Sequence, residues 1–281
     1  WDELLADWRP VEAPGLRCAR LNALQALGRA DAAWTTEAQA LWRSGQSRPD
    51  ACDATFATLA ARGGLDDALR WERFDLAVAA NEPGVARAAT RGLEAGARAL
   101  ADDYLAFLQA PHARAVQWPH DARSRKVAAA GLARLARNDP GAAERMLAQL
   151  GPALQLGEAE RGQVLYQVAL WTVASYLPDS ARRLAAVPES AYDERLHEWR
   201  VREAMARGDW QAALAALRRM PPTQREDSRW RWFEARMLEK TGRQAEAQAL
   251  LRQAARAATF HGFLAADRLR QPYALCPWQP A

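Results

Sequence analysis

The sequence predicts an all-α chain, a right-handed α-superhelix (solenoid) of stacked helical hairpins. Composition points there first. Ala, Leu and Arg dominate, Val and Thr are scarce and isoleucine is absent, a mixture that favours helix and disfavours strand. Punctuation points there second, because Gly, Pro and Asp or Asn break helical periodicity at short intervals. A repeat late in the chain is the third sign.

Taken in order, the periodicity predicts helices over about Gly15–Ala30, Ala32–Ser44, Pro49–Arg62, Asp66–Ala80 and Pro83–Gly92. Further segments follow at Ala97–Gln109, Ala122–Arg137, Pro140–Leu150, Glu158–Leu177 and Asp179–Val187. The last five are Tyr192–Arg207, Asp209–Arg219, Gln224–Thr241, Arg243–Ala257 and Phe260–Leu269. Gly28, Gly92, Gly208 and Gly242 stand where a left-handed residue ends a helix. Pro83, Pro140 and Asp179 stand where one begins, as first-turn proline or N-cap.

The repeat joins Gly208-Asp209-Trp210-Gln211-Ala212-Ala213-Leu214 to Gly242-Arg243-Gln244-Ala245-Glu246-Ala247-Gln248, an interval of 34 residues. That is the period of a tetratricopeptide-like hairpin. Looser echoes open at Asp139-Pro140-Gly141 and Pro178-Asp179-Ser180, so the array is degenerate. Small Ala residues let paired helices approach, and residues such as Trp210 and Leu214 fill the groove between hairpins. Each hairpin hides only one face, so its neighbours supply the rest of the core.

Charge excludes several classes of partner. The 38 basic and 34 acidic residues interleave, leaving +4 without a basic block, so no nucleic acid is expected. The longest uncharged stretch, Gly162 to Pro178, contains Gln163, Gln167, Thr172 and Ser175. It reads as a central buried helix, and no membrane span is expected. The chain starts at Trp1, in mid-pattern, as an excerpt or processed form would.

No catalytic centre, metal site or cofactor is expected. His112, His120, His197 and His261 are scattered and read as surface or capping residues. Asp66-Asp67 and Asp102-Asp103 are adjacent carboxylates that point apart on a helix, and the first pair suits a helix start. No Gly-rich phosphate loop is present. The twelve tryptophans read mainly as wedges between helices, with Trp118, Trp230 and Trp232 as candidate glycan contacts beside Arg231. Arg231, Arg236 and Arg268 could line a groove, or be neutralised by Glu234 and Asp267. Cys18 and Cys52 flank two helices and Cys276 lies near the end. Three buried thiols and a Cys18–Cys52 disulfide are both open readings.

The C-terminal run is more specific. Ser228-Arg229-Trp230-Arg231-Trp232-Phe233-Glu234-Ala235-Arg236 opens one helix and Gly242-Arg243-Gln244-Ala245-Glu246-Ala247 the next. Phe260-His261-Gly262-Phe263-Leu264-Ala265-Ala266-Asp267-Arg268-Leu269 follows, then Gln271-Pro272-Tyr273. This order resembles the linker domain of the soluble lytic murein transglycosylases of the Gram-negative periplasm. Upstream, Trp42-Arg43-Ser44-Gly45-Gln46-Ser47, Cys52 and Trp71-Glu72-Arg73 resemble that family's ring-forming superhelical domain.

The resemblance implies residues 1–220 as the superhelical domain, incomplete at its start, and 221–281 as the linker. It implies a periplasmic location, peptidoglycan glycan strands as partner, and a parent that cleaves them to 1,6-anhydro ends using a lysozyme-like domain. That domain's Glu-Ser signature and Gly-Leu-Met-Gln segment are missing here, since Glu189-Ser190 is the one Glu-Ser pair and nothing like the second segment follows it. No catalytic residue is therefore carried over, and the catalytic domain is expected in cis outside this chain. An oxidising compartment favours the Cys18–Cys52 disulfide and leaves Cys276 unpaired, or paired beyond the chain. Phe260, His261, Gly262, Phe263 and Arg268 become the candidate platform on which the catalytic domain docks, which requires an exposed apolar patch at this end. The rival reading is a stand-alone tetratricopeptide-like adaptor that holds a protein in its groove.

Overall fold

The computed structural model describes residues 2–6 and 8–275, and among these every regular element is helical. The first helices are α1 (Asp2–Ala6), α2 (Pro14–Ala26), α3 (Ala32–Trp42), α4 (Ala51–Ala61), α5 (Asp67–Ala79) and α6 (Pro83–Ala89). Then come α7 (Ala95–Gln109), α8 (Ala122–Leu135), α9 (Pro140–Ala153), α10 (Glu158–Ala174), α11 (Ser180–Ala186) and α12 (Glu194–Ala206). The chain continues through α13 (Trp210–Arg218), α14 (Pro222–Arg225), α15 (Ser228–Lys240), α16 (Gln244–Ala254) and α17 (Phe260–Leu269). No described helix is long and apolar enough to cross a membrane.

Local chemistry sets most boundaries. The side chains of Asp31, Asp66, Asp193, Asp209 and Thr259 accept backbone N–H groups of Trp34, Leu69, Leu196, Ala212 and Gly262. Each satisfies a donor that the first helical turn leaves free. At the other ends Gly28, Gly92, Gly208 and Gly242 all take positive φ, as their positions require.

Three boundaries differ from expectation. The helix expected over Gln224–Thr241 is broken, because the Asp227 carboxylate accepts the Arg229 N–H and starts α15 afresh after the short α14. The helix expected to reach Leu177 stops at Ala174: Tyr176 turns left-handed with φ 53°, and Pro178 disfavours helix at Leu177. Asp179 does precede α11, but with φ 68° and without a capping bond; its carboxylate meets Arg182 at 3.3 Å instead.

The described chain divides into two compact units. One runs through Leu132 and includes Pro152–Gln155; the other holds Ala133–Gly151 and everything described from Leu156 onward. In the first unit α2 packs on α3 and α4, α3 on α5, and α6 on both α5 and α7. Trp34, Phe74, Tyr104 and Phe107 fill its core. The indole N–H of Trp34 donates to the Leu21 carbonyl at 2.8 Å, and that of Trp42 to Leu69 at 3.0 Å. Two large wedges are thus buried without an orphaned donor.

Cys18 and Cys52, both fully buried, form a disulfide that joins α2 to α4 across 34 residues of sequence. Cys276 lies outside the described residues. Between Trp42 and Phe56 the buried Arg73 guanidinium sits 4.3 and 5.1 Å from the ring centroids. Burial, then the charge of Arg48, pushes its pKa down to about 10.

In the second unit α10 packs on α11 and α12, α12 on α13, α13 on α15, and α15 on α16 and α17. The two hairpins related by the repeat, α12–α13 and α15–α16, are each closely paired. Ala213 and Ala247 occupy matching places and are fully buried, as are Leu217 and, almost fully, Leu251. Met220 shares one core with Trp230, Leu238 and Leu251, so packing continues without a gap past residue 220.

Candidate functional site

Two places in the second unit combine exposed aromatic surface with polar groups. The first is the C-terminal end. Gly262 is buried so closely on the preceding turn that a Cβ there would lie 2.0 Å from the Ala257 carbonyl oxygen. This approach pins α17 and sets the rings around it. His261 packs 5.7 Å from Trp232 and 5.6 Å from Phe233, and Phe260 stands edge-on to it at 5.3 Å. Phe263 stacks on Tyr273 at 5.0 Å, and the Tyr273 hydroxyl donates to Asp267 at 2.7 Å. Phe260 is 69% exposed and Leu275 71%. Burial, and then Arg229, lower the pKa of His261, which favours the neutral imidazole among these rings.

Arg268 is held by a bidentate pair to Glu239 at 2.8 and 2.9 Å, and Arg236 also pairs with Glu239. The neutralising carboxylate is thus Glu239, where the sequence had suggested Glu234 and Asp267. Glu234 instead faces a cavity of about 480 Å³ with Arg218, Arg225 and Arg231. Burial raises its pKa, and Arg225, Arg218 and Arg243 oppose that rise.

The tryptophans singled out in the sequence separate by burial. Trp118 is buried in the first unit, its N–H donating to Asp103 at 2.7 Å and its ring against Tyr104 and Phe107. Trp230 is buried in the core of the second. Neither offers a ring face to a ligand. Trp232 is half-buried, and Arg231 lines an open hollow with Gln253 and Arg256. His197, expected at the surface, is buried on Tyr192, and burial lowers its pKa, helped by Arg200.

The second place was not anticipated. Where α10 ends early, the turn over residues 175–179 and the flank of α12 enclose a cavity of about 500 Å³. Tyr176, 82% exposed, and Trp199 meet at its mouth with centroids 6.4 Å apart and planes at 82°. Arg202 lies 5.6 Å over the Trp199 ring. A legible signal existed: Tyr-Leu-Pro-Asp after a long helix cannot stay helical, which releases Tyr176 from the core. Among the described residues no three His, Cys, Asp or Glu side chains converge as metal ligands would.

The chain is 29% identical over 284 residues to the soluble lytic murein transglycosylase of Escherichia coli K12, an alignment covering 96% of this chain and 43% of that protein. It is 30% identical over 283 residues to the soluble lytic murein transglycosylase of Salmonella typhimurium, with the same coverage of each. Among solved structures it is similar to the 70-kDa soluble lytic transglycosylase of E. coli, with TM-score 0.78 and 27% identity over 97% of this chain and 45% of that one. It is also similar to an inactive mutant of the lytic transglycosylase Slt from Pseudomonas aeruginosa, with TM-score 0.71 and 27% identity over 98% of this chain and 45% of that one. No protein-family model matches. The chain spans less than half the length of the curated relatives it matches. The all-α superhelical class expected from the sequence is the fold it shares with these structures.

Proposed function

We propose that this chain, a relative of the soluble lytic murein transglycosylases over nearly its whole length, is a non-catalytic helical scaffold within a periplasmic protein that cleaves peptidoglycan. In this reading residues 1–220 shape the path taken by glycan strands. Residues 221–281 are a linker that seats a lysozyme-like catalytic domain supplied in cis. One observation carries the proposal: the relationship covers 96% of the chain, so it embraces both helical units and is not confined to one motif. Two others support it. The Cys18–Cys52 disulfide suits an oxidising compartment. Phe260, Tyr273 and Leu275 are exposed, Tyr273 against Phe263, and exposed apolar side chains of this kind are what a packed neighbour covers.

The test uses purified cell-wall sacculi. The chain is expected to sediment with them, to be displaced by soluble glycan fragments, and to release no 1,6-anhydro-muropeptides. Failure to sediment would sink the reading. Release that disappears in Glu234→Gln would sink it differently, by moving the chemistry onto the cavity carboxylate that burial makes harder to ionise.

A further inference from the structure

Four arginines along α13 to α16 each meet a carboxylate: Arg219 meets Glu189, Arg229 meets Glu198, Arg236 meets Glu239 and Arg243 meets Glu246. Four others, Arg218, Arg225, Arg231 and Arg256, line the hollows beside Glu234. Among the described residues their side chains form no ion pair and no hydrogen bond. Arg218 and Arg256 are exposed. Arg225 and Arg231 are half-buried, yet none of their nitrogens is sealed from solvent. The unpaired donors are therefore within a ligand's reach.

The four share one trough. The cavity of about 480 Å³ that Glu234 faces holds Arg218, Arg225 and Arg231, and another of about 460 Å³ holds Arg231 and Arg256. Arg231 and Gln253 belong to both, so the two hollows adjoin. Glu226 and Glu234 bring the negative charge of the lining, and neither pairs with a guanidinium among the described residues. Four guanidinium groups thus face two carboxylates.

Helix chemistry explains part of this. The last turn of α13 suits a cation at Arg218, because the free carbonyls there carry partial negative charge. Arg231 has the opposite setting, in the first turn of α15, where the helix dipole disfavours a cation. Like charges gathered without counter-charges repel one another and lower the stability of the unliganded chain. A bound anion turns that repulsion into attraction.

The lining selects among anions. No aromatic ring lines either hollow among the described residues, so a nucleic-acid base has nothing to stack on. Leu250 and Ala257 offer too little apolar surface for an acyl chain or an apolar peptide. Every cation is an arginine, a planar fork that grips an oxyanion through two N–H groups at once. A phosphate monoester carries about −1.5 to −2 charges and three acceptor oxygens, so two phosphates in succession engage all four forks. A carboxylate brings one charge and two oxygens, and leaves more of the donors unmatched.

We propose that this trough binds a ligand carrying two or more adjacent phosphate groups, one held by Arg218 and Arg225 and the next by Arg231 and Arg256. A free phosphate chain and a phosphorylated sugar present the same chemistry. The proposal does not rest on the glycan-scaffold reading, and it stands or falls without sacculi.

Titration calorimetry on the intact chain compares tripolyphosphate, a sugar bisphosphate, orthophosphate, citrate, a tetraglutamate peptide and a single-stranded oligonucleotide. Tripolyphosphate or the sugar bisphosphate is expected to bind about tenfold more tightly than orthophosphate, citrate or the peptide. The tighter of the two names the source. Arg231→Gln, which alters both hollows, should weaken that ligand about tenfold, the effect of losing one charge-assisted pair. Glu234→Gln removes an opposing charge and should strengthen it about threefold at mildly alkaline pH. Arg252→Gln makes the same charge change at an exposed site outside the trough, and should leave affinity within about twofold of wild type. Without ligand, Arg231→Gln should melt no lower than wild type, because repulsion is relieved. Unchanged affinity in Arg231→Gln, or an equal loss in Arg252→Gln, would overturn the proposal by reducing the binding to net charge. Orthophosphate binding as tightly as tripolyphosphate would overturn the need for adjacent phosphates. Citrate or tetraglutamate binding as tightly would overturn it in favour of an acidic peptide, and preference for the oligonucleotide in favour of nucleic acid. A lower melting temperature for unliganded Arg231→Gln would overturn it by making that guanidinium part of the fold.

Discussion

Replacing Cys18 and Cys52 together by Ala tests the best-defined covalent feature of the first unit. The bridge closes a loop of 34 residues, and on the loop-entropy model that constrains the unfolded chain by about 4 kcal/mol. For a unit of about 130 residues the unfolding entropy is about 270 cal/mol/K, so the expected fall in Tm is about 10–15 °C. Both sulfurs are fully buried between α2 and α4. Reductant should therefore react only when that hairpin opens, at a rate that rises with denaturant well below the midpoint. The assay is urea unfolding of wild type and Cys18→Ala/Cys52→Ala, read by amide exchange so that each helix reports for itself. Protection should drop in α2 and α4 and stay in α15 and α16, whose core is built from Leu214, Trp230, Leu238 and Leu251. An unchanged midpoint in the double variant would refute the reasoning. So would fast reduction of the native chain, because it would mean that these sulfurs are reached without opening.

Other perturbations have equally definite outcomes. Gly262→Ala places a methyl 2.0 Å from the Ala257 oxygen and should cost about 1–3 kcal/mol, with chemical-shift changes confined to α16 and α17. Trp230→Ala empties a nearly fully buried site and should cost about 3–5 kcal/mol, whereas changing exposed Phe260 to Ala should leave thermal stability almost untouched. Glu144 accepts hydrogen bonds from Arg182 and Arg183, which hold its pKa below the ordinary carboxylate value. Its contribution is therefore full above that ordinary value and is lost as pH falls through the folded one, so Glu144→Gln should destabilise at neutral pH and converge with wild type in acid. Glu234 has the opposite sign: burial raises its pKa, the folded state holds its proton longer, and stability falls as pH rises through this range. Glu234→Gln should remove that fall, seen as a gain over wild type that grows with pH in denaturant titrations.

What the sequence could and could not disclose follows from the range of the interactions concerned. Helix ends were legible because their causes are local. An Asp accepting the N–H three residues on, or a Gly at positive φ, needs no distant partner. The 34-residue repeat was legible because Ala213 and Ala247 do the same work in successive hairpins. The disulfide was legible only through the compartment that a family resemblance implied. Burial depth was not legible. Trp118, Trp230 and Trp232 look alike in a helical pattern, yet the first two are sealed by Tyr104, Phe107 and the α13–α16 core while the third keeps part of its ring in solvent. Arg73, cased in Trp42 and Phe56, reads as one more surface charge in its heptad neighbourhood.

The Tyr176 groove was hidden for a sharper reason. Its site exists because a helix fails: one apolar stretch, uncharged from Gly162 to Pro178, supports a buried helix on periodicity alone. Pro178 ends that helix early, and the residues released become surface. The composition that argues for a core therefore furnishes an exposed aromatic corner two residues past the last residue of α10. If this account is right, restoring helix is enough to erase the site. Pro178→Ala, which relieves the restriction on Leu177, should lengthen α10 by amide-exchange criteria and draw Tyr176 out of contact with Trp199. The Tyr176–Trp199 ring contact should then vanish from NOE spectra although neither aromatic has been changed. Retention of that contact with a lengthened α10 would show that the corner owes nothing to the broken helix.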